Sequence, residues 1–118
     1  MSVENSQQDI PEEELVRGNF LVPENREPIH PGRALKEYFL DPLDMTQTDL
    51  AQRMNVYVNR VNELINKKRG VTPETASMLA KIFDTSERYW LNMQNAYDLY
   101  RLRQSERWEK IENIKQVG

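Results

Sequence analysis

The chain has 118 residues, a formal net charge of −3 and no cysteine. This length suits one domain with one modest core. Without cysteine, disulfides and thiolate chemistry are excluded, and no apolar run approaches the ~20 residues that span a bilayer. The N-terminus is polar and acidic, the opposite of a signal peptide, so these features predict a soluble, cytoplasmic protein.

The charge is unevenly distributed along the chain. Residues 1–28 carry seven acidic and two basic side chains, whereas residues 29–118 carry twelve acidic and fourteen basic ones. From Arg53 to Arg69 there are five basic residues against one acidic residue. Local charge matters more for contact with phosphate than the overall balance does, so nucleic acid stays an allowed partner.

Residues 1–28 form an acidic N-terminal extension that prolines and Gly18 interrupt. Its composition favours a flexible tail. Residues Asn19 to Val22 (NFLV) leave an alternative open, because Phe20 and its neighbours could pair as a short strand or dock on a partner.

A first helix is predicted to begin at Pro31 and Gly32 and to end at Pro42, since proline suits the first turn of a helix and breaks its interior. The side chains expected on its apolar face recur at helical spacing. They are Ala34, Leu35, Tyr38, Phe39 and Leu43.

The segment from Met45 to Arg69 predicts two short helices joined by a tight turn. Thr46 suits the N-cap of the first, and Asp49 completes a capping box. Asn55 stands at the turn, because asparagine tolerates the left-handed conformation well. The apolar stripes of the two helices hold Leu50, Ala51 and Met54, then Val56, Val61, Leu64 and Ile65. This pattern predicts a helix-turn-helix.

Two further helices are predicted downstream. Thr72 caps one that starts at Pro73, and Thr85 or Ser86 caps a fifth that runs unbroken from Glu87 to about Asn113. The fourth buries Ala76, Leu79, Ala80 and Phe83, and the fifth carries a stripe of Trp90, Met93, Ala96, Tyr97 and Tyr100. Trp90 is expected in the core. The predicted fold is therefore all-α, with five helices and a long C-terminal helix.

The sequence offers no catalytic or metal site. His30 is the single histidine and cysteine is absent, so neither a zinc site nor a catalytic histidine site can be assembled. His30 is expected to make local hydrogen bonds. With no glycine-rich phosphate loop, we expect no enzyme activity, no cofactor and no metal.

The second helix of the helix-turn-helix instead presents a face suited to the DNA major groove. Asn59 can bond adenine and Arg60 can bond guanine, each bidentately, although a phosphate contact is the alternative for Arg60. Val58 could pack on a thymine methyl group, and Asn62 could touch a base or the backbone. Candidate phosphate contacts are Gln47 at a helix N-terminus and, at the basic end, Asn66, Lys67, Lys68 and Arg69, for which a solvated charge run is the alternative.

From Pro28 to about Leu102 the chain resembles a known family. The stretch around the helix-turn-helix is similar to lambda-repressor-like (Cro/cI, or XRE) domains. The opening HPG, the run RG-x-TPETA and the segment W-L-N-x-Q-x-A-Y-D-L are together similar to HigA-type antitoxins of bacterial toxin–antitoxin modules. We therefore divide the chain into the extension 1–28, a DNA-binding domain 29–102 and a charged C-terminal helix extension 103–118.

The resemblance implies a homodimer that binds a palindromic operator, represses its own operon and neutralises a HigB-like toxin of the RelE-like, mRNA-cleaving type. It also places a phosphate contact at Gln47. The apolar side chains that exceed the need of a small core are candidates for a dimer seam or a toxin contact. They are Tyr97, Leu99, Tyr100 and Leu102.

One departure concerns the turn, where the family usually has glycine followed two residues later by a small hydroxyl cap. Here these residues are Asn55 and Tyr57. Either the cap is lost or the Tyr57 hydroxyl reaches a phosphate. Two other functions stay open. One is a free-standing repressor without a toxin, and the other is a protein-interaction module that has lost DNA binding.

Overall fold

The computed structural model describes residues 26–118, so the expectations for the extension up to residue 25 lie outside the described part. These residues form helices and no strand. We label the helices α1 (Pro31–Ala34, continued by a π-helical segment over Leu35–Leu40), α2 (Gln47–Met54), α3 (Val58–Ile65), α4 (Pro73–Phe83), α5 (Glu87–Arg103) and α6 (Arg107–Glu112). The all-α, lambda-repressor-like fold is confirmed. No helix between residues 26 and 118 is long and apolar enough to cross a membrane.

The π-helical half of α1 changes which of its residues face the core. The Asp41 amide donates to the Lys36 carbonyl at 2.9 Å, five residues back. This wider turn carries Leu40 inward, to 2% exposure, while Tyr38 stays 57% exposed. The prediction that Tyr38 faces the core was therefore wrong, because it assumed the regular spacing of an α-helix. Leu43, also predicted inward, lies beyond the helix and is 59% exposed.

The helix boundaries of the helix-turn-helix follow the predicted caps. Thr46 accepts a hydrogen bond from the Asp49 amide at 3.0 Å, and the Asp49 carboxylate accepts one from the Thr46 amide at 3.1 Å. Asn55 ends α2 in the left-handed conformation, with φ of 60°. Both halves of the predicted capping box and the predicted turn are thus confirmed.

The core lies where α1, α2, α3 and α4 meet the start of α5. Trp90 is fully buried, and its indole nitrogen donates to the Thr85 hydroxyl at 2.8 Å. Because Thr85 holds the tryptophan, the cap of α5 falls to Ser86, which accepts from the Tyr89 amide. The buried core residues include Leu35, Leu40, Leu50, Ala51, Met54, Val61, Leu64, Val71, Ala76, Leu79 and Trp90.

The last helix breaks, although neither glycine nor proline interrupts it. α5 ends at Arg103, and α6 begins at Arg107. The Ser105 hydroxyl donates to the Leu102 carbonyl at 2.6 Å, and the Ser105 amide donates to the same oxygen at 3.0 Å. A serine side chain that bonds the preceding turn competes with the regular helical pattern, so the prediction of one unbroken helix to Asn113 was wrong.

The start of α1 crosses close to the end of α3. A Cβ atom built on Gly32 would lie 1.8 Å from the Leu64 carbonyl oxygen. Only glycine allows this crossing, and the crossing fixes the C-terminal end of α3.

Replacing Gly32 with alanine should therefore force α1 and α3 apart. We expect the free energy of unfolding to fall by about 1–3 kcal/mol or more, as for other overpacked sites, in urea denaturation followed by circular dichroism. Asn95→Ala, a change at an exposed position of α5, is the control. Equal stability of the two variants would contradict the crossing.

His30 caps α1, as the expectation of local hydrogen bonding requires. Its Nδ1 accepts from the Gly32 amide at 2.9 Å, and its ring packs edge-on against Tyr97 with centroids 4.8 Å apart. Burial and the nearby Lys67 lower the pKa of His30, against a smaller opposing effect of Asp98. The folded state therefore favours the neutral imidazole that this cap needs.

This cap predicts a loss of stability in weak acid. Above the ordinary histidine pKa of about 6.5 both states are neutral, but as the pH falls from about 7 to about 5 the unfolded chain gains the proton first. The folded state is thereby destabilised. His30→Asn retains an oxygen that can cap Gly32 and does not titrate, so wild type should lose stability relative to this variant in urea denaturation at pH 7 and pH 5. Parallel losses in the two proteins would contradict the assignment.

Candidate nucleic-acid interface

The candidate interface is the exposed side of α3, which α2 holds against the core. Val61 and Leu64 turn inward, with 1% and 2% exposure. The opposite side of the helix is therefore free, and it presents Val58, at 44% exposure, together with Asn59 and Asn62. A helix with one face buried and a polar face in solvent can enter the major groove.

The start of α3 carries Tyr57 at the N-cap position. Its side chain makes no capping hydrogen bond within the described residues and is 87% exposed. The side-chain cap is therefore lost, and contact of the Tyr57 hydroxyl with a phosphate stays a prediction. The phenol stands in solvent beside the exposed face of α3.

A chain of side-chain amides connects α2 to α3. The Asn62 amide donates to Gln47 Oε1 at 3.1 Å, and the Asn66 amide donates to Asn62 Oδ1 at 3.1 Å. Gln47 uses its oxygen in this contact, so its NH2 group is left to donate outward at the N-terminus of α2. Two predicted phosphate residues, Gln47 and Asn66, are thereby joined through a predicted base-reading residue.

Arg60 is not free over the exposed face. Its Nη2 lies 3.1 Å from the Thr75 hydroxyl and 3.5 Å from Glu74 Oε1, both at the start of α4. Only 28% of the Arg60 side chain is exposed. Its Nε is buried and has no hydrogen-bond partner within the part of the chain that the structure describes.

The basic end of α3 contains a strained residue. Lys67 has φ of 64°, and the Lys68 amide donates to the Glu63 carbonyl at 2.8 Å across it. Glycine usually occupies this left-handed position after a helix, so a lysine here costs conformational energy. Such strain often marks a residue retained for its function.

Arg69, the last predicted phosphate contact, forms an ion pair with Glu63. Its Nη2 lies 2.8 Å from Glu63 Oε1, and its Nε lies 3.1 Å from the same oxygen. Both side chains are partly exposed, at 47% and 40%. Because exposed pairs of this kind are weak, Arg69 can exchange the carboxylate for a phosphate.

The four predicted partner residues of α5 do not share one environment. Tyr97 is 8% exposed, packs on His30 and accepts a hydrogen bond from Arg101 at 2.8 Å. Contacts within the chain therefore cover most of its surface. Leu99 is 45% exposed, and Tyr100 and Leu102 are half-buried. The apolar surface available to a partner therefore lies on the latter three.

Sequence reasoning missed three residues that hold this site. Gln94 is buried and accepts from the Val71 amide at 2.7 Å, which ties the loop after α3 to α5. Thr75 anchors Arg60, and Glu63 pairs with Arg69. Glu63 and Arg69 are six residues apart, a spacing that becomes a contact only because the chain reverses at Lys67. Thr75 lies in the RG-x-TPETA run, and Gln94 is the glutamine of the W-L-N-x-Q-x-A-Y-D-L segment. Hydrophobic periodicity alone did not indicate the contacts that these two residues make.

Comparison with known families assigns this arrangement to a class. Residues 35–90 match the family model described as helix-turn-helix, a span that includes α2, the turn, α3 and α4. The chain belongs to the XRE-type helix-turn-helix family of DNA-binding transcriptional regulators.

Individual relatives fall into regulators and antitoxins. An uncharacterized HTH-type transcriptional regulator of Haemophilus influenzae is 38% identical over 91 residues, which cover 76% of this chain and 85% of the relative. Antitoxin HigA-1 of Vibrio cholerae is 39% identical over 75 residues, covering 64% and 70%. The solved structure of Pseudomonas aeruginosa antitoxin HigA with the higBA promoter superposes with a TM-score of 0.72 at 30% identity, covering 78% of this chain and all of that one.

Proposed function

We propose that this protein is a HigA-type antitoxin. It binds a palindromic operator as a homodimer, represses its own operon and neutralises a RelE-like, mRNA-cleaving toxin by direct contact. The observation that carries the DNA part is the exposed, hydrogen-bonding face of α3 against a buried opposite face. The antitoxin part rests on the similarity to proteins named HigA.

In this proposal Val58, Asn59 and Asn62 face the bases. Asn59 is the strongest candidate because its amide oxygen can accept a hydrogen bond from the N6 amino group of adenine while its NH2 group donates to N7, a bidentate pattern that matches adenine. Val58 supplies an apolar contact for a thymine methyl group. Asn62 stays oriented by Gln47, so it can contribute its remaining donor without losing rotamer freedom on binding.

The phosphate contacts surround that face. Gln47 lies at the N-terminus of α2, where the helix dipole also favours an anion. Lys67, Lys68 and Arg69 follow α3, and Tyr57 stands at its other end. Contacts to phosphate fix the register of the protein on DNA without reading sequence. The strained backbone of Lys67 supports this role, because glycine would serve the turn better than lysine does.

The partner surface in this proposal is the apolar part of α5, formed by Leu99, Tyr100 and Leu102. Leu99 alone is 45% exposed. A homodimer would present two copies of α3 to two half-sites of a palindromic operator, which multiplies the sequence information.

Replacing Asn59 with alanine should remove sequence discrimination but leave most phosphate binding. We expect the preference for the protein's own promoter over an unrelated duplex to fall about 5- to 150-fold, the equivalent of about 1–3 kcal/mol for one bidentate contact. Fluorescence anisotropy with both duplexes measures it. Asn95→Ala, an exposed asparagine on α5, is the matched control. Unchanged preference in Asn59→Ala would remove Asn59 from the interface.

Co-expression tests the antitoxin part. The chain is produced with the product of its adjacent reading frame, and the purified complex is weighed by native mass spectrometry. We expect a tight complex with a small basic partner. A homodimer alone would favour a free-standing repressor.

Leu99→Glu tests the α5 surface, with Leu43→Glu as its control. The two leucines are comparably exposed, at 45% and 59%, but Leu43 lies after α1. The Leu99 variant should lose the dimer or the toxin complex because it places a charge in an apolar interface, while the Leu43 variant should retain both. Loss in both variants, or in neither, would contradict the assignment of α5.

A further inference from the structure

We propose that Arg60 is a positioning residue, which acts through Thr75 to set the angle of α3 against α4 and so determines which bases Asn59 reaches. This inference rests on the DNA binding through α3 that the proposed function assigns. It gives Arg60 a role different from the base contact that the sequence predicts.

The first observation is a continuous set of contacts from α3 to the start of α4. Arg60, in the first turn of α3, donates from Nη2 to the Thr75 hydroxyl at 3.1 Å. Thr75 is 4% exposed, and its hydroxyl lies 3.3 Å from that of Thr72, which caps α4. The guanidinium is thereby attached to a buried group on the neighbouring helix.

The second observation is that this arrangement is not the one that packing alone would favour. Arg60 Nε is buried without a partner in the described residues, and a buried unpaired donor carries a desolvation cost. The cation also sits at the N-terminus of α4, the positive end of its dipole. Glu74 offsets this only weakly, because its carboxylate is 3.5 Å away and its side chain is 71% exposed.

The third observation is where the contact lies on α3. The C-terminal end of α3 packs against Gly32, so closely that a Cβ atom there would overlap the Leu64 carbonyl oxygen. Arg60 holds the other end. Without it α3 could pivot about the Gly32 crossing, and the amide of Asn59, which is next to Arg60, would move with it. A planar guanidinium fixes such an angle better than a flexible ammonium does.

The experiment selects binding sites from a randomised duplex library. It compares wild type, Thr75→Val, Arg60→Lys and the double variant. Thr75→Val removes the acceptor but retains the shape, and Arg60→Lys retains the charge. We expect each single variant to lose about tenfold of its preference for the wild-type site, spread over every position that α3 reads. The double variant should lose at most about threefold more of this preference than the more strongly affected single variant, because both substitutions break the same contact.

Two controls separate positioning from general loss of structure. Thr75→Ser retains the hydroxyl and should bind as wild type does. Ser77→Ala removes a different hydroxyl of α4, an exposed one that bonds the Pro73 carbonyl in the same helix, and should also leave the selected site unchanged. Thermal unfolding of each variant identifies any that is not folded, and if Thr75→Val is among them, Arg60→Lys still tests the inference.

Three outcomes would overturn the inference. If Thr75→Val selects the wild-type site while Arg60→Lys loses preference at one base pair only, Arg60 reads a base. If an additional variant, Arg60→Ala, lowers the salt dependence of binding by about one phosphate contact while Thr75→Val retains the wild-type salt dependence, Arg60 binds phosphate. If wild type itself selects no sequence, the proposed function fails, and this inference fails with it.

Discussion

The crossing of α1 over the end of α3 is the contact on which the candidate interface depends. A Cβ atom on Gly32 would overlap the Leu64 carbonyl oxygen, so the two helices touch backbone to backbone. His30 prepares this approach, because its imidazole caps the amide of Gly32 and packs on Tyr97. The HPG motif therefore positions the C-terminal end of α3, the helix that we propose binds DNA.

The other two motifs that carry the family resemblance support the same helix from its far side. Gly70 lies against Gln94, whose oxygen accepts from the Val71 amide, so the chain leaving α3 is tied to α5. The RG-x-TPETA run supplies Thr75, which receives Arg60. The three motifs lie apart in the sequence, but residues of each contact α3 or the segment that follows it. The candidate interface is thus packed against α1, α4 and α5 on its inner side and exposed on its outer face.

The parts of the fold that follow local rules could be predicted from the sequence. Hydrogen bonds to nearby amides and local backbone preferences decide where a helix begins and ends. Thr46 and Thr72 are N-caps and Asn55 is the left-handed turn residue, as predicted. Prediction failed where a local pattern was ambiguous. The apolar pattern of residues 34–43 fits an α-helix as well as the π-helical turn that buries Leu40, so it could not distinguish the two. Ser105 ends α5 although most helices tolerate serine.

The candidate site was harder to predict because its side chains have partners distant in sequence. An exposed position on α3 was evident from the buried stripe, so Val58 and Asn59 were identified correctly as surface residues. The direction of Arg60 was not evident, since its partner Thr75 is fifteen residues away. Likewise, Tyr97 was grouped with Leu99 as a candidate partner contact, yet the ring of Tyr97 packs on His30 whereas Leu99 is open to solvent.

The central claim is that the exposed face of α3 lies in the major groove of the protein's own operator. Because the chain has no cysteine, Val58→Cys provides a single site for an iron chelate that cleaves nearby DNA. The account predicts cleavage of the promoter duplex at two symmetric positions about one helical turn apart, inside the protected region. It predicts no such cleavage from a chelate at Asn95→Cys, an exposed position on α5 outside the proposed partner surface. Cleavage from position 95 with none from position 58 would contradict it.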